Sequence, residues 1–192
     1  MDITAARTLM HEWVANPSLR IYMEAVAACM ARCARDAAPD QVERWTVAGL
    51  LHDFDYERHP SPEEHPAVGV AHLRRLGVDD ETLQAILGHA EYTGTPRISA
   101  MARHLFAVDE LAGFIVACGR VRPDGLASLD AAGVRKKLKT PAFAAAVSRD
   151  DIARGIAELS IDADAHVTRC IEAIRDAGLV VPKAPATGPG GA

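Results

Sequence analysis

Apolar residues recur three and four positions apart along most of the chain, and this spacing constrains the fold more than any other feature. The spacing matches an α-helix, because residues three and four apart lie on one helical face. Only 5% of the residues are aromatic and alanine is abundant, a balance that favours helix over strand. We therefore predict an all-α fold, a bundle of helices. One clear face is formed by Leu19, Tyr22, Val26, Cys29, Met30 and Cys33.

Proline, glycine and capping residues divide the helical pattern into segments. Asn16 followed by Pro17 is typical of a helix start, and Gly178 is typical of a helix end. The 192 residues suit a single domain, which we assign to residues 1–180. Residues 181–192 are rich in proline and glycine, and we expect a disordered tail there. The predicted helices cover residues 2–15, 17–36, 39–51, 66–76, 79–89, 99–118, 133–138, 141–147, 149–159 and 162–177.

Composition argues against several classes of protein. The net charge of −5 argues against a nucleic-acid-binding role. No apolar run approaches the ~20 residues of a membrane span, and the first residues do not resemble a secretion signal. The four cysteines lack metal-binding spacing, so we expect reduced core thiols in a cytoplasmic protein. The expected partner is a small phosphorylated molecule, and the sequence leaves open whether the chain associates with a second copy.

Histidines and aspartates at helix ends and on apolar faces are candidate metal ligands. His52 and Asp53 close an apolar run, where both side chains can reach one ion, although a buried hydrogen-bonded pair would give the same pattern. Asp109 has apolar neighbours one helical turn away on either side. A carboxylate in that position binds a metal or pairs with a neighbouring helix, because an unpaired buried charge is costly. His65 and His89 stand at helix ends, where most histidines are surface or capping groups.

Together these residues form a recognisable pattern. The segments AGLLHDFDYE, ILGHAEYTG and LFAVDELAGFI resemble the HD-domain superfamily of metal-dependent phosphohydrolases. The resemblance covers about residues 16–119, and residues 135–159 are similar to the C-terminal part of one bacterial branch. It implies a helical bundle that holds one or two divalent metal ions, with manganese, iron, zinc, cobalt and magnesium not distinguished. It also implies hydrolysis of a phosphate ester, with a nucleotide as one candidate, by a metal-activated water.

The resemblance also assigns the ligands of each ion. It places His52, Asp53 and Asp109 on a first metal ion. It places Asp53, His65 and His89 on a second, so that Asp53 bridges the two ions. His52 and Asp53 are therefore the predicted catalytic residues.

One position departs from the family pattern. The family normally has another histidine on the helix before the His-Asp pair, and Tyr22 occupies that place here. Three protein ligands and a water are still enough for a catalytic metal. Two alternatives stay open: a degenerate domain that binds a small ligand without turnover, and a non-haem di-iron oxygenase. The candidates for substrate binding are Tyr22, Arg20, Arg135, Lys136, Lys137 and Lys139, because cationic side chains suit phosphate.

Overall fold

The computed structural model describes residues 1–180, and the predicted tail at 181–192 lies outside the described residues. Within 1–180 the chain forms nine α-helices, two short 3₁₀-helices and no β-strand, which confirms the predicted all-α fold. No helix in this range is long and apolar enough to cross a membrane. The α-helices are α1 (Ile3–Trp13), α2 (Pro17–Ala37), α3 (Val42–Leu51), α4 (Ala67–Arg75), α5 (Asp80–His89), α6 (Ala100–Arg120), α7 (Ala131–Leu138), α8 (Arg149–Leu159) and α9 (Ala163–Asp176).

Side-chain caps explain why most helices begin where they do. Seven of the nine described α-helices start after an Asp, Asn or Ser whose side chain accepts a backbone N–H of the first turn. Asn16 caps α2 in this way, directly before Pro17. The caps satisfy N–H groups that have no partner inside the helix. Local sequence therefore determines these boundaries, which is why they lie close to the predicted ones.

The two longest described helices, α2 and α6, form the centre of the bundle. Helix α3 packs against α2, and both α5 and α8 pack against α6. Every residue from Trp45 to Leu51 is buried. Gly49 allows α3 to lie this close to α2, because a Cβ there would be 2.7 Å from the Cα of Ala27. This tight packing fixes the C-terminal end of α3, where His52 and Asp53 follow.

One predicted helix is wrong. Residues 141–147 form turns and a bend, and Ala144 adopts a left-handed backbone conformation with φ of 44°. The Arg149 guanidinium donates hydrogen bonds to the carbonyls of Phe143, Ala144 and Val147. An arginine side chain thus satisfies carbonyls that a helix would have satisfied from its own backbone, and apolar spacing does not reveal such a contact.

We predict that Gly49→Ala destabilises the protein by about 1–3 kcal/mol, because the new methyl group would collide with backbone that cannot move aside easily. Urea unfolding measures the change. Gly133→Ala in α7 is the matched control, since a Cβ there would meet only side-chain atoms, at 3.2 Å. Equal stability of the two variants would contradict the close approach of α2 and α3.

Candidate metal centre

Four parts of the fold bring the candidate ligands to one place. His52 and Asp53 follow the C-terminal end of α3, and His89 closes α5. His65 ends the loop before α4, and Asp109 lies in the middle of α6. All of these side chains are buried except that of Asp53, which is 14% exposed. The negative ends of the α3 and α5 helix dipoles are both at this site, where a cation is favoured.

Asp53, His65 and His89 form the tightest group. Asp53 Oδ1 lies 3.1 Å from His65 Nε2 and 3.2 Å from His89 Nε2. Each residue offers one ligand atom, and the three atoms all lie within 4.8 Å of one another. Nitrogen and carboxylate oxygen at this spacing are ligands that a divalent transition metal accepts. These three residues therefore form a candidate metal site.

The other oxygen of Asp53, Oδ2, faces a second group of candidate ligands, His52 and Asp109. His52 Nε2 lies 3.5 Å from Asp53 Oδ2 and 3.2 Å from Asp109 Oδ1. The two oxygens of Asp53 thus face different residues, Oδ1 toward two histidines and Oδ2 toward the third. This is the arrangement that a bridging carboxylate requires. The structure brings together all five residues to which the resemblance assigned a metal.

The other ring nitrogen of each histidine, Nδ1, already forms a hydrogen bond. His52 Nδ1 lies 2.8 Å from the Gly49 carbonyl, and His89 Nδ1 lies 2.5 Å from the Ile86 carbonyl. His65 Nδ1 lies 2.7 Å from an oxygen of Asp55. Because carbonyls and carboxylates only accept hydrogen bonds, each Nδ1 carries the proton.

The chemistry of this donor set fits a metal ion. With Nδ1 protonated, a neutral histidine directs the Nε2 lone pair toward the carboxylates. Nε2 and a carboxylate oxygen are then both hydrogen-bond acceptors, so only a proton or a metal cation between them makes the contact favourable. His52 Nε2 is buried without a hydrogen-bond partner. Buried polar atoms rarely lack one unless they serve a ligand. A cation between the histidines and the carboxylates would satisfy all of these atoms.

The carboxylates strongly perturb the histidines in the metal-free protein. Burial lowers the pKa of His52, but the charges of Asp53 and Asp109 outweigh it and raise that pKa to about 9. The pKa of His65 is likewise lowered by burial and raised by Asp53 and Asp55, with a net value of about 9. Burial alone would raise the pKa of Asp53, yet the three histidines hold it well below its usual value. Such opposed shifts concentrate at functional sites.

Asp55 contacts the candidate ligand His65 and was not among the predicted ligands. Its side chain is completely buried, with one oxygen bound to His65 Nδ1 and the other accepting from the Gly69 N–H at 2.7 Å. A Cβ on Gly69 would lie 2.8 Å from this carboxylate. Asp55 therefore orients His65 for a metal, a role that outer carboxylates commonly have. The sequence contained no signal for it, because its partners lie 10 and 14 residues away.

Tyr22, for which the resemblance predicts a histidine, lies at the edge of the site. Its hydroxyl donates a hydrogen bond to Asp109 Oδ1, and its ring meets the His52 ring edge-on, with centroids 5.3 Å apart. Burial, followed by the charges of Asp109 and Asp53, raises the pKa of Tyr22 well above its usual value. Tyr22 is therefore a neutral phenol that orients Asp109 in the metal-free protein.

A cavity of about 450 Å³ opens over these ligands. Glu110 lines it beside Asp109, and burial together with the charge of Asp109 raises the pKa of Glu110 to about 7. Its outer wall contains two exposed tyrosines, Tyr56 and Tyr92. Ligands at the base of an open cavity are accessible to water and to a substrate.

The basic residues predicted to bind substrate lie elsewhere. Arg20 directs its guanidinium to the carbonyls of His11 and Val14, and Arg135 pairs with Asp164 on α9. Helix α7 packs against α9 and α6, whereas the candidate ligands lie on α3, α5 and α6 and in the loop before α4. Their positions therefore do not support the predicted role. Among the described residues that line the cavity, none is Lys136, Lys137 or Lys139.

Comparison with known families identifies the class of domain. Residues 23–113 match the family model described as HD domain. This segment is therefore identified as similar to HD domains, a superfamily of metal-dependent phosphohydrolases that bind divalent metals. No curated protein and no solved structure matches the chain. The matched range contains all five candidate ligands, and Tyr22 lies one residue before it.

We predict that Asp55→Asn weakens metal binding by about 10–100-fold, the usual effect of losing an outer-shell carboxylate. An asparagine keeps the size of the side chain, but its amide nitrogen cannot accept one of the two hydrogen bonds. Isothermal titration with Mn²⁺ measures the affinity, and circular dichroism checks the fold. Asp36→Asn is the control, because Asp36 is exposed on α2. Unchanged affinity in the Asp55 variant would contradict the orienting role.

We also predict that metal affinity rises with pH. Below about pH 9, His52 and His65 each carry a second proton, on Nε2, in the metal-free protein, and a metal ion must displace it. Each displaced proton strengthens apparent binding by up to about tenfold per pH unit until the histidine pKa is passed. Titrations between pH 6 and 9, in buffers of different ionisation enthalpy, measure both the affinity and the protons released. A constant affinity across this range would refute the prediction.

Proposed function

We propose that this protein hydrolyses a phosphate ester at the centre formed by His52, Asp53, His65, His89 and Asp109. One observation carries the proposal. Three histidines whose Nδ1 atoms are already hydrogen-bonded present Nε2 to two carboxylates, and four of these five residues, all except His52, line an open cavity. Asp53 supports two neighbouring ions because its two oxygens face different residues. The HD domain gives the reaction class to which such a centre belongs.

The residues of the chain have separate tasks in this reaction. A bound divalent ion supplies an activated water and polarises a phosphoryl oxygen. His65 and His89 remain oriented by Asp55 and by the Ile86 carbonyl. The Tyr22 hydroxyl donates a hydrogen bond to Asp109 and limits how that carboxylate turns. The surrounding helices keep these groups in place before substrate arrives, which reduces the reorganisation the reaction requires.

The bond between Tyr22 and Asp109 favours a second candidate function. It engages the Asp109 oxygen that also faces His52, and Tyr22 stands where the resemblance places a further histidine ligand, so the first site offers an ion fewer ligands. A domain with only the Asp53, His65 and His89 site filled could bind a phosphorylated ligand without turning it over. Metal content and hydrolysis, measured on the same preparation, separate this binding module from the enzyme.

The test combines elemental analysis with phosphatase assays. We expect one or two equivalents of a divalent metal in the protein, and hydrolysis of simple phosphate monoesters. Asp53→Asn should lose the metal and lower kcat/KM by at least about 10³-fold, since a metal ion contributes several kcal/mol to the transition state. Asp80→Asn is the control, because the Asp80 side chain is 91% exposed.

Two results would contradict the proposal. One is a folded protein that binds no divalent ion after loading with manganese, iron, zinc or cobalt. The other is a protein that binds the ions and hydrolyses no phosphate ester, which would support the binding module.

A further inference from the structure

The walls of the metal cavity carry little positive charge. Among the described residues, no arginine or lysine lines it, whereas Glu91, Glu110 and Asp151 do. The two nearby arginines are already paired: Arg97 with Glu158 and Glu91, and Arg154 with Glu91. A polyphosphate brings several negative charges, and within this cavity only the metal ions would oppose them. The charge of the walls therefore favours a substrate with one phosphoryl group.

The same cavity offers apolar surface to the rest of the substrate. Leu19 and Phe106 line it, and Tyr56 and Tyr92 are 44% and 54% exposed at its outer wall. Large exposed aromatic side chains around a cavity are typical contacts for an apolar or aromatic ligand. Leu19 and Phe106 offer no hydrogen-bonding group, and Tyr56 and Tyr92 offer only one hydroxyl each.

A second cavity lies next to the first. It also has a volume of about 450 Å³, and it shares Tyr22, Glu110 and Ala146 with the metal cavity. The two cavities therefore adjoin at these three residues. The volume of the second cavity is within the range of small-molecule sites. Apart from Ser18, Tyr22, Glu110 and the exposed Arg120, its lining is apolar and consists of Gly113, Val116, Ala117, Val121, Phe143, Ala144, Ala146 and Val147.

The outer wall of this second cavity is fixed before any ligand binds. The Phe143 ring packs edge-on against Phe114, with ring centroids 5.5 Å apart. Arg149 donates hydrogen bonds to three carbonyls of residues 143–147. This segment lies beyond residue 113, where the family match ends. The wall is therefore supplied by a part of the chain outside the matched HD domain.

We propose that the substrate is a monophosphate ester of an apolar alcohol, one without the polar groups of a sugar or a nucleoside. Its phosphoryl group lies over the metal ligands, and its alcohol part lies across Ala146 in the second cavity. Water oxygen forms the new bond to phosphorus, the bond from phosphorus to the alcohol oxygen breaks, and the alcohol takes up a proton derived from that water. The products are the free alcohol and inorganic phosphate. This inference rests on the proposed phosphohydrolase function.

The experiment compares benzyl phosphate, glucose 6-phosphate, AMP and ATP with the manganese-loaded full chain. Benzyl phosphate, glucose 6-phosphate and AMP are all esters of primary alcohols, so intrinsic leaving-group differences remain small. We expect kcat/KM for benzyl phosphate to exceed that for the other compounds by at least about 30-fold, mainly through a lower KM, because burial of about 80–100 Å² of apolar surface has an effect of this size.

Two tryptophan variants test where the alcohol part binds. Ala146→Trp fills the passage between the two cavities and should lower kcat/KM for benzyl phosphate at least tenfold. It should also abolish competitive inhibition by 2-naphthol, a probe of the second cavity. Ala145→Trp is the matched control, because Ala145 is an exposed neighbour that lines neither cavity. The control should behave as the unmodified protein does.

The outcomes separate this inference from the proposed function. Faster hydrolysis of AMP, ATP or glucose 6-phosphate than of benzyl phosphate would overturn the inference and leave the phosphohydrolase intact. Equal behaviour of the two tryptophan variants would also overturn it. If the metal-loaded protein hydrolyses none of the four compounds, nor any other phosphate ester, the proposed function fails and the inference fails with it.

Discussion

The Asp53 carboxylate, with three imidazole rings around it, is the interaction on which the rest of the site depends. Its two oxygens lie 3.1–3.5 Å from the Nε2 atoms of three histidines. Such a concentration of charge and polarity inside a helical bundle is stable only if every atom has a partner. Carbonyls at the ends of α3 and α5, together with Asp55, satisfy the outer nitrogens. The inner atoms are left for a cation.

The bundle around the site is organised so that these atoms cannot move apart. Helix α3 is buried along its last seven residues, and Gly49 allows its backbone to contact α2. That contact determines where Asp53 lies. Helix α6 presents Asp109 from the opposite side, with Tyr22 bound to it. Packing and hydrogen bonding therefore act on the same few side chains, which is how a preorganised site differs from a flexible polar patch.

Much of the fold was predictable from sequence because its determinants are local. Caps such as Asn16 and the apolar spacing act within one helix, and the helices formed where they were expected. Residues 141–147 are the exception, since the Arg149 side chain binds their carbonyls. Within the site, the motif resemblance gave the five candidate ligands. The role of Asp55 was not predictable, because its contacts with His65 and Gly69 arise only in the folded chain.

The basic residues were also not predictable from sequence, because their role depends on where the fold places them. The sequence cluster of Arg135, Lys136, Lys137 and Lys139 was predicted to bind phosphate, but none of these residues lines the metal cavity, and Arg135 pairs with Asp164. The charges in a sequence do not indicate which surface of the folded protein their side chains will face. The walls of the cavity instead come partly from residues 146 and 151, outside the matched HD domain. The candidate ligands therefore lie within the matched range, whereas part of the cavity wall comes from residues after it.

The central claim is that His52, His65 and His89 present Nε2 to a metal ion because Nδ1 is already bound. Nitrogen-15 NMR of the histidine side chains, before and after loading with diamagnetic Zn²⁺, tests it most directly. The account predicts that after loading all three rings retain a proton on Nδ1 and show the shift of a zinc-bound nitrogen at Nε2. Protons on Nε2 in the loaded protein, or spectra that zinc does not change, would contradict it.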